Sequence, residues 1–144
     1  FGEFYAFNRE LRPKNNYELA IMRFWNDLPK HVVPIIAEQP MYHKVKLYAG
    51  TPDNMLFNLE TGDISIIDYK TNEDLFKNFR GKKMLGDFSN LLDNPYNKYQ
   101  LQLSYYQILL EQTGYTVSKR KIIWIKPDAT YTIYDTDDLT QYLK

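Results

Sequence analysis

The segment Ile64-Ser65-Ile66-Ile67-Asp68-Tyr69-Lys70-Thr71 constrains the fold more than any other stretch of the chain. Its β-branched residues predict a strand. Side chains alternate between the two faces of a strand, so Ile64 and Ile66 share one face and Ile67 makes the other apolar as well. A strand apolar on both faces belongs at the centre of a sheet covered on both sides. Asp68 and Lys70 lie on the face of Ile64 and Ile66, about 6.5–7 Å apart along the strand. A carboxylate and an ammonium at the end of a buried face are costly to desolvate. A mutual ion pair compensates that cost, and so does a divalent cation.

The region 44–57 reads as the strand before it, and Asn58-Leu59-Glu60-Thr61-Gly62-Asp63 contains a turn signal. The two strands make a hairpin. A tight turn at Thr61-Gly62 puts Asp53 opposite Lys70, and a register shift of two puts it opposite Asp68. Either keeps Asp53 on the shared face, whereas a one-residue shift turns it away. Gly50 and Pro52 predict a bend or bulge just ahead of Asp53.

Elsewhere the pattern predicts a helix from Asn15 or Asn16 to about Asp27, stopped by Leu28-Pro29. Residues 32–37 are β-rich, although Pro34 interrupts them, and strand character resumes over 35–42. Residues 72–97 form a long polar connection containing Arg80, Lys82 and Lys83, with a short helical turn over 88–92. The strongest helix covers 98–112. Tyr99, Leu103, Tyr106 and Leu110 form its apolar stripe, and Gly114 fits its C′ position. Strands follow at 119–126 and 131–134. A short closing helix spans 135–144, capped by Thr136 or Asp137. The order α-β-β-β-α-β with a trailing β-α implies an α/β (α+β) fold, a central mixed sheet flanked by helices. The length of 144 residues suits one domain over 1–144. The chain opens at Phe1 without methionine, which either trimming or a longer parent with a further N-terminal segment accounts for.

Basic and acidic residues balance at 18 each, so no global field attracts a polyanion. That argues against a passive nucleic-acid coat, not against an enzyme with a local basic groove. The absence of cysteine excludes disulfides, thiolate zinc sites and cysteine-ligated iron–sulfur clusters. It suits a reducing cytoplasm. No apolar run reaches membrane-spanning length, so no membrane is expected as a partner. The 13 tyrosines serve either as core-edge residues or as stacking surfaces for bases, and composition does not separate the two. His31 and His43 stand alone and are assigned no role.

Two carboxylates and a lysine suit hydrolysis of a phosphodiester. Hard oxygen ligands hold one or two Mg²⁺ or Mn²⁺ ions. Such an ion polarises the phosphate and acidifies bound water, while a lysine orients that water or offsets developing charge. Glu38, on the first strand of the sheet, is a candidate third carboxylate. Gln102 lies four residues before Tyr106 on the same side of its helix, where it can hydrogen-bond inward. Arg80, Lys82 and Lys83 are candidates to grip a DNA backbone, against the plain alternative of a solvated loop.

Ala37-Glu38-Gln39, Ala49-Gly50-Thr51-Pro52-Asp53, Ile67-Asp68-Tyr69-Lys70-Thr71 and Gln100-Leu101-Gln102-Leu103-Ser104-Tyr105-Tyr106 together resemble the PD-(D/E)XK nuclease superfamily. The likeness is to its RecB-type and phage-exonuclease branch, and it spans roughly residues 35–125 of the chain. The resemblance implies a restriction-endonuclease-like fold and Mg²⁺- or Mn²⁺-dependent cleavage of DNA, single- or double-stranded. Asp53 resembles the first metal-binding aspartate, Asp68 the second acidic ligand, Lys70 the catalytic lysine and Glu38 the upstream glutamate. Gln102 and Tyr106 resemble the helix motif of that branch. Gln100 competes for the glutamine role but has Ser104 where the motif needs tyrosine. Members of this branch often carry an aliphatic residue where Pro52 stands, some relatives bind iron–sulfur clusters through cysteines that this chain lacks, and others carry an upstream histidine that neither His31 nor His43 matches.

The expected activity is that of a deoxyribonuclease, an exonuclease of recombination, repair or phage DNA processing in the cytoplasm of a bacterium or phage-infected host. A restriction-type or structure-specific endonuclease is the alternative within the enzyme class. A non-catalytic nucleic-acid-binding module with the nuclease fold is the alternative outside it.

Overall fold

The computed structural model of the protein describes residues 1–35, 41–42, 49–50, 54–77, 83–84 and 93–142. A five-stranded mixed sheet runs in the order β1 (Val32–Ile35), β4 (Asn54–Asn58), β5 (Ile64–Lys70), β6 (Val117–Ile125) and β7 (Tyr131–Asp135). All neighbours are antiparallel except β5 and β6, which run parallel with helix α3 (Pro95–Glu111) between them in sequence. Strands β2 (Met41–Tyr42) and β3 (Ala49–Gly50) form a separate antiparallel pair. A four-residue helix α1 (Gly2–Tyr5) precedes helix α2 (Asn16–Asp27). The fold is α+β, and β5 occupies its centre as its two apolar faces require.

Those faces divide the core. On one side Ala20, Phe24 and Trp25 of α2 pack with Ile67, Ile123 and Ile125. On the other, Leu103 and Leu110 of α3 pack with Ile64, Ile66 and Ile122, and Tyr99 and Tyr106 join them. The predicted stripe of α3 is thus the surface it buries. Asn15 caps α2, its side chain accepting from the Glu18 amide, and Asn94 caps α3 by accepting from the Asn97 amide.

Several boundaries differ from those expected. Pro34 sits inside β1, opposite Leu56, and an edge strand tolerates it because one side of its ladder needs no donor. Met41–Tyr42 and Ala49–Gly50, expected in the first two strands of the main sheet, pair with each other in a separate one. Helix α3 starts at Pro95, inside the predicted connection, because proline at the first turn lacks only an N–H that the helix leaves unused. Gln112 is its C-cap, and Gly114, at φ +95°, turns the chain two residues later.

The predicted closing helix is replaced by a single 3₁₀ turn, Thr140–Tyr142. The amides that would have started a helix are taken by α3: Asp137 N–H donates to Gln100 Oε1 at 2.8 Å and Leu139 N–H to Ser104 Oγ at 3.0 Å. Buried Arg120 completes this latch. It donates to Gln107 Oε1 and to the Thr136 carbonyl, and Gln107 in turn donates to Asp138 Oδ2. Burial pushes the Asp138 carboxyl up, but the Thr140 hydroxyl and amide, Arg120 and Gln107 outweigh it and leave it below the usual range.

Tyr131 ties β7 to the end of α2 by donating its hydroxyl to Asp27 Oδ2 at 2.6 Å. Burial, then the bond to Asp27 and its negative charge, push this phenol from its ordinary 10.0 up to about 12. The unfolded chain releases the proton first as pH rises. The contribution is therefore complete below 10.0 and is lost between there and about 12. Tyr131→Phe should melt at a lower temperature than the parent at neutral pH, and the gap should close across that alkaline window. A gap that stays constant on thermal denaturation through the window would overturn the assignment.

Candidate active site

Strand β5 carries Asp68 and Lys70 at its C-terminal end, on the face covered by α3. In the parallel ladder Asp68 stands beside Ile122 and Lys70 beside Trp124. The ammonium of Lys70 meets Asp68 Oδ2 at 3.1 Å, with the two side chains 23% and 6% exposed. The pair is therefore asymmetric: the carboxylate is enclosed, and the lysine side chain is the more exposed of the two.

A cradle that sequence reasoning did not identify holds the lysine. Its Nζ lies 4.2 Å from the centroid of the Tyr99 ring, within reach of a cation–π attraction. The Tyr99 hydroxyl donates to Asn72 Oδ1 at 3.0 Å. The Trp124 indole donates to the Asn72 carbonyl at 2.8 Å. Asn72 follows Lys70 by two residues, just past the end of β5. The signal was present in the sequence as a stripe aromatic starting the helix, but a ring that packs and a ring that cradles a cation have the same spacing.

On α3, Gln102 is half-exposed and donates to the Tyr106 hydroxyl at 2.9 Å. Both are within two turns of Tyr99 on the same side of the helix. Gln100, the rival glutamine, is buried and turned toward the C-terminal segment, where it accepts from the Asp137 amide. The burial of α3 thus separates the two glutamines, of which the spacing to Tyr106 already favoured Gln102.

Glu38, Asp53, Arg80, Lys82 and His43 lie outside the described residues. Lys83 is exposed. His31 stands 3.8 Å from Glu60, away from β5's end. The β4–β5 register pairs Asn54 with Ile67 and Phe57 with Ile64. This is not the tight-turn register but one shifted from it by two residues. Its extra length is taken up by the turn, where the Gly62 amide donates to the Asn58 carbonyl and Gly62 adopts φ +77°.

Among the described residues, no three acidic, histidine or cysteine side chains group closely enough to hold a metal ion. Of the ligands expected from the sequence, Asp68 alone is described. Its chemistry suits the role: a hard, anionic oxygen donor in an enclosed setting. Chemically, the arrangement offers a carboxylate for a cation and, beside it, an ammonium for an anionic oxygen.

No family model matches the chain, and no curated protein matches it. The pair itself yields a test. Removing the lysine leaves the more enclosed charge without its counter-ion, whereas neutralising the carboxylate leaves a cation on the less enclosed side chain. Lys70→Met should cost about 3 kcal/mol, and Asp68→Asn distinctly less. Urea unfolding followed by circular dichroism measures both, and equal losses would show that the asymmetry of burial has no energetic weight.

Proposed function

We propose that the chain is a divalent-metal-dependent nuclease that hydrolyses DNA phosphodiesters, with Asp68 and Lys70 at its centre. The observation that carries this reading is the asymmetric pair on the α3 face of the central strand. A pair kept only for stability gains little from enclosing a carboxylate beside a lysine that stays partly exposed. An active site that must meet an anionic substrate needs that openness. The sequence likeness to PD-(D/E)XK nucleases adds Asp53 and Glu38 as companions of Asp68.

In this reading Asp68, Asp53 and Glu38 hold Mg²⁺ or Mn²⁺, which when bound screens the phosphate and acidifies water. Lys70 donates to a phosphate oxygen or to the attacking water, and its charge offsets the negative charge gathering at phosphorus. Tyr99 steadies the ammonium through its ring face, which draws on charge and consumes no N–H donor. Gln102, aligned by its bond to Tyr106, orients a water or a phosphate oxygen. Attack on chain ends, as an exonuclease of recombination, repair or phage DNA processing, is the mode proposed. A cytoplasmic place of action follows from that substrate; no described helix is long and apolar enough to cross a membrane.

The closed 3.1 Å contact between Asp68 and Lys70 favours one second reading, a binding module in which the pair is purely structural. The test incubates end-labelled single- and double-stranded DNA with Mg²⁺ or Mn²⁺. Cleavage is expected, and Asp68→Asn should slow it on the order of a hundredfold or more. Full activity in cleanly purified Asp68→Asn would sink the mechanism. Opening of a closed DNA circle would shift the mode to endonuclease. Absence of both cleavage and calorimetric Mn²⁺ binding would favour the binding module.

A further inference from the structure

Tyr69 lies between Asp68 and Lys70 in sequence and points to the opposite face of the sheet, toward α2. Its hydroxyl accepts from the Trp25 indole at 2.8 Å and donates to Asn54 Oδ1 at 2.5 Å. The direction of this chain is dictated by chemistry. An indole nitrogen only donates, so the tyrosine oxygen must accept from it, and the hydroxyl proton is left for the amide oxygen. Trp25 and Asn54 are buried, at 2% and 5% exposure. Asn54 opens β4 and stands opposite Ile67, which makes it the diagonal neighbour of Tyr69 on that face. Helix α1 closes against the ring: a Cβ on Gly2 would sit 2.6 Å from Tyr69 Cε2. Three other elements (α1, α2 and β4) thus converge on this one side chain of β5.

Hydrophobic packing alone does not call for that arrangement, because phenylalanine would fill the same volume without placing polar atoms in the core. What a directional chain adds is orientation. It fixes the roll of β5 about its own axis, and alternation transmits that roll to residues 68 and 70 on the other face. It also joins the end of β5 to the start of β4. We propose that Tyr69, with Trp25 and Asn54, is a positioning residue that aims Asp68 and Lys70 from behind the sheet. Its consequence for catalysis rests on the nuclease reading; its consequence for the geometry of Lys70 does not.

Tyr69→Phe keeps the ring and removes the link. Asn54→Ala removes the acceptor and leaves the tyrosine intact. Ile67→Val, on the same face but outside the chain of bonds, is the control for loss of stability. Lysine-labelled protein read by NMR reports Lys70 directly, because an ammonium seated over the Tyr99 ring has ring-current-shifted neighbouring protons. In both Tyr69→Phe and Asn54→Ala that shift should move toward the value of an unconstrained lysine. The double variant should be no worse than either single one, and Ile67→Val should keep the parent value. Metal-dependent cleavage should fall about 10- to 100-fold in kcat, with KM for DNA unchanged. Retention of the Lys70 shift and of kcat in folded Tyr69→Phe overturns the proposal. So does a loss that Ile67→Val shares, because it then tracks stability alone. Where Tyr69→Phe does not fold, the same comparison is made with Asn54→Ala against Ile67→Val. A parent protein that cleaves no DNA refutes the nuclease reading, and the Lys70 shift still decides the positioning role.

Discussion

Burial of β5 on both faces is the constraint from which the remaining architecture follows. Ile64 and Ile66 need a cover on one side and Ile67 on the other, and the two helices supply them separately. A strand so enclosed must also be paired along both edges, or its amides and carbonyls stay unsatisfied. β4 fills one edge by a hairpin, and β6 fills the other by returning in parallel after α3. The crossover connection is therefore what carries α3 across the face where Asp68 and Lys70 emerge.

The sheet divides its work by face at this end. Toward α3 it shows charge: a carboxylate, an ammonium, and the tyrosine ring that seats the ammonium. Toward α2 it shows a neutral bond chain through Tyr69. The charged face is the more open, because its lysine side chain is partly exposed. The neutral face gains from enclosure, because its hydrogen bonds strengthen where water is excluded. Single-residue alternation lets both conditions hold within three consecutive positions.

Much of this was legible in the chain itself. The double apolar face of residues 64–67, the alternation that joins Asp68 to Lys70, the capped helix from Asn16 to Asp27 and the stripe of α3 each rest on a local periodicity that the folded protein keeps. The hairpin register was not legible, since it depends on how many residues the turn absorbs, and Gly62 permits more than one answer. The C-terminal helix failed for another reason. Local propensity favours a helix there, but Gln100 and Ser104, more than 30 residues earlier, claim its amides. The Tyr99 cradle and the Tyr69 chain were hidden because an aromatic at a core spacing looks the same whether or not its polar edge is used. Of the expected ligands, Asp53 and Glu38 lie outside the described residues, so their part still rests on the likeness of motifs.

The parallel pairing of β5 with β6 also sets a timetable. Lys70 and Trp124 are ladder neighbours, yet Trp124 leaves the ribosome roughly 50 residues after Lys70, an interval of about 3–10 s at ordinary elongation rates. Through that interval both strands of the β4–β5 hairpin have been made, while one edge of β5 has no mate and one of its faces has no helix. Nascent chains of this kind expose an isoleucine-rich edge that invites intermolecular pairing. The charges that end β5 then take on a second value during synthesis: they interrupt the apolar run at the position where a foreign strand would otherwise keep zipping.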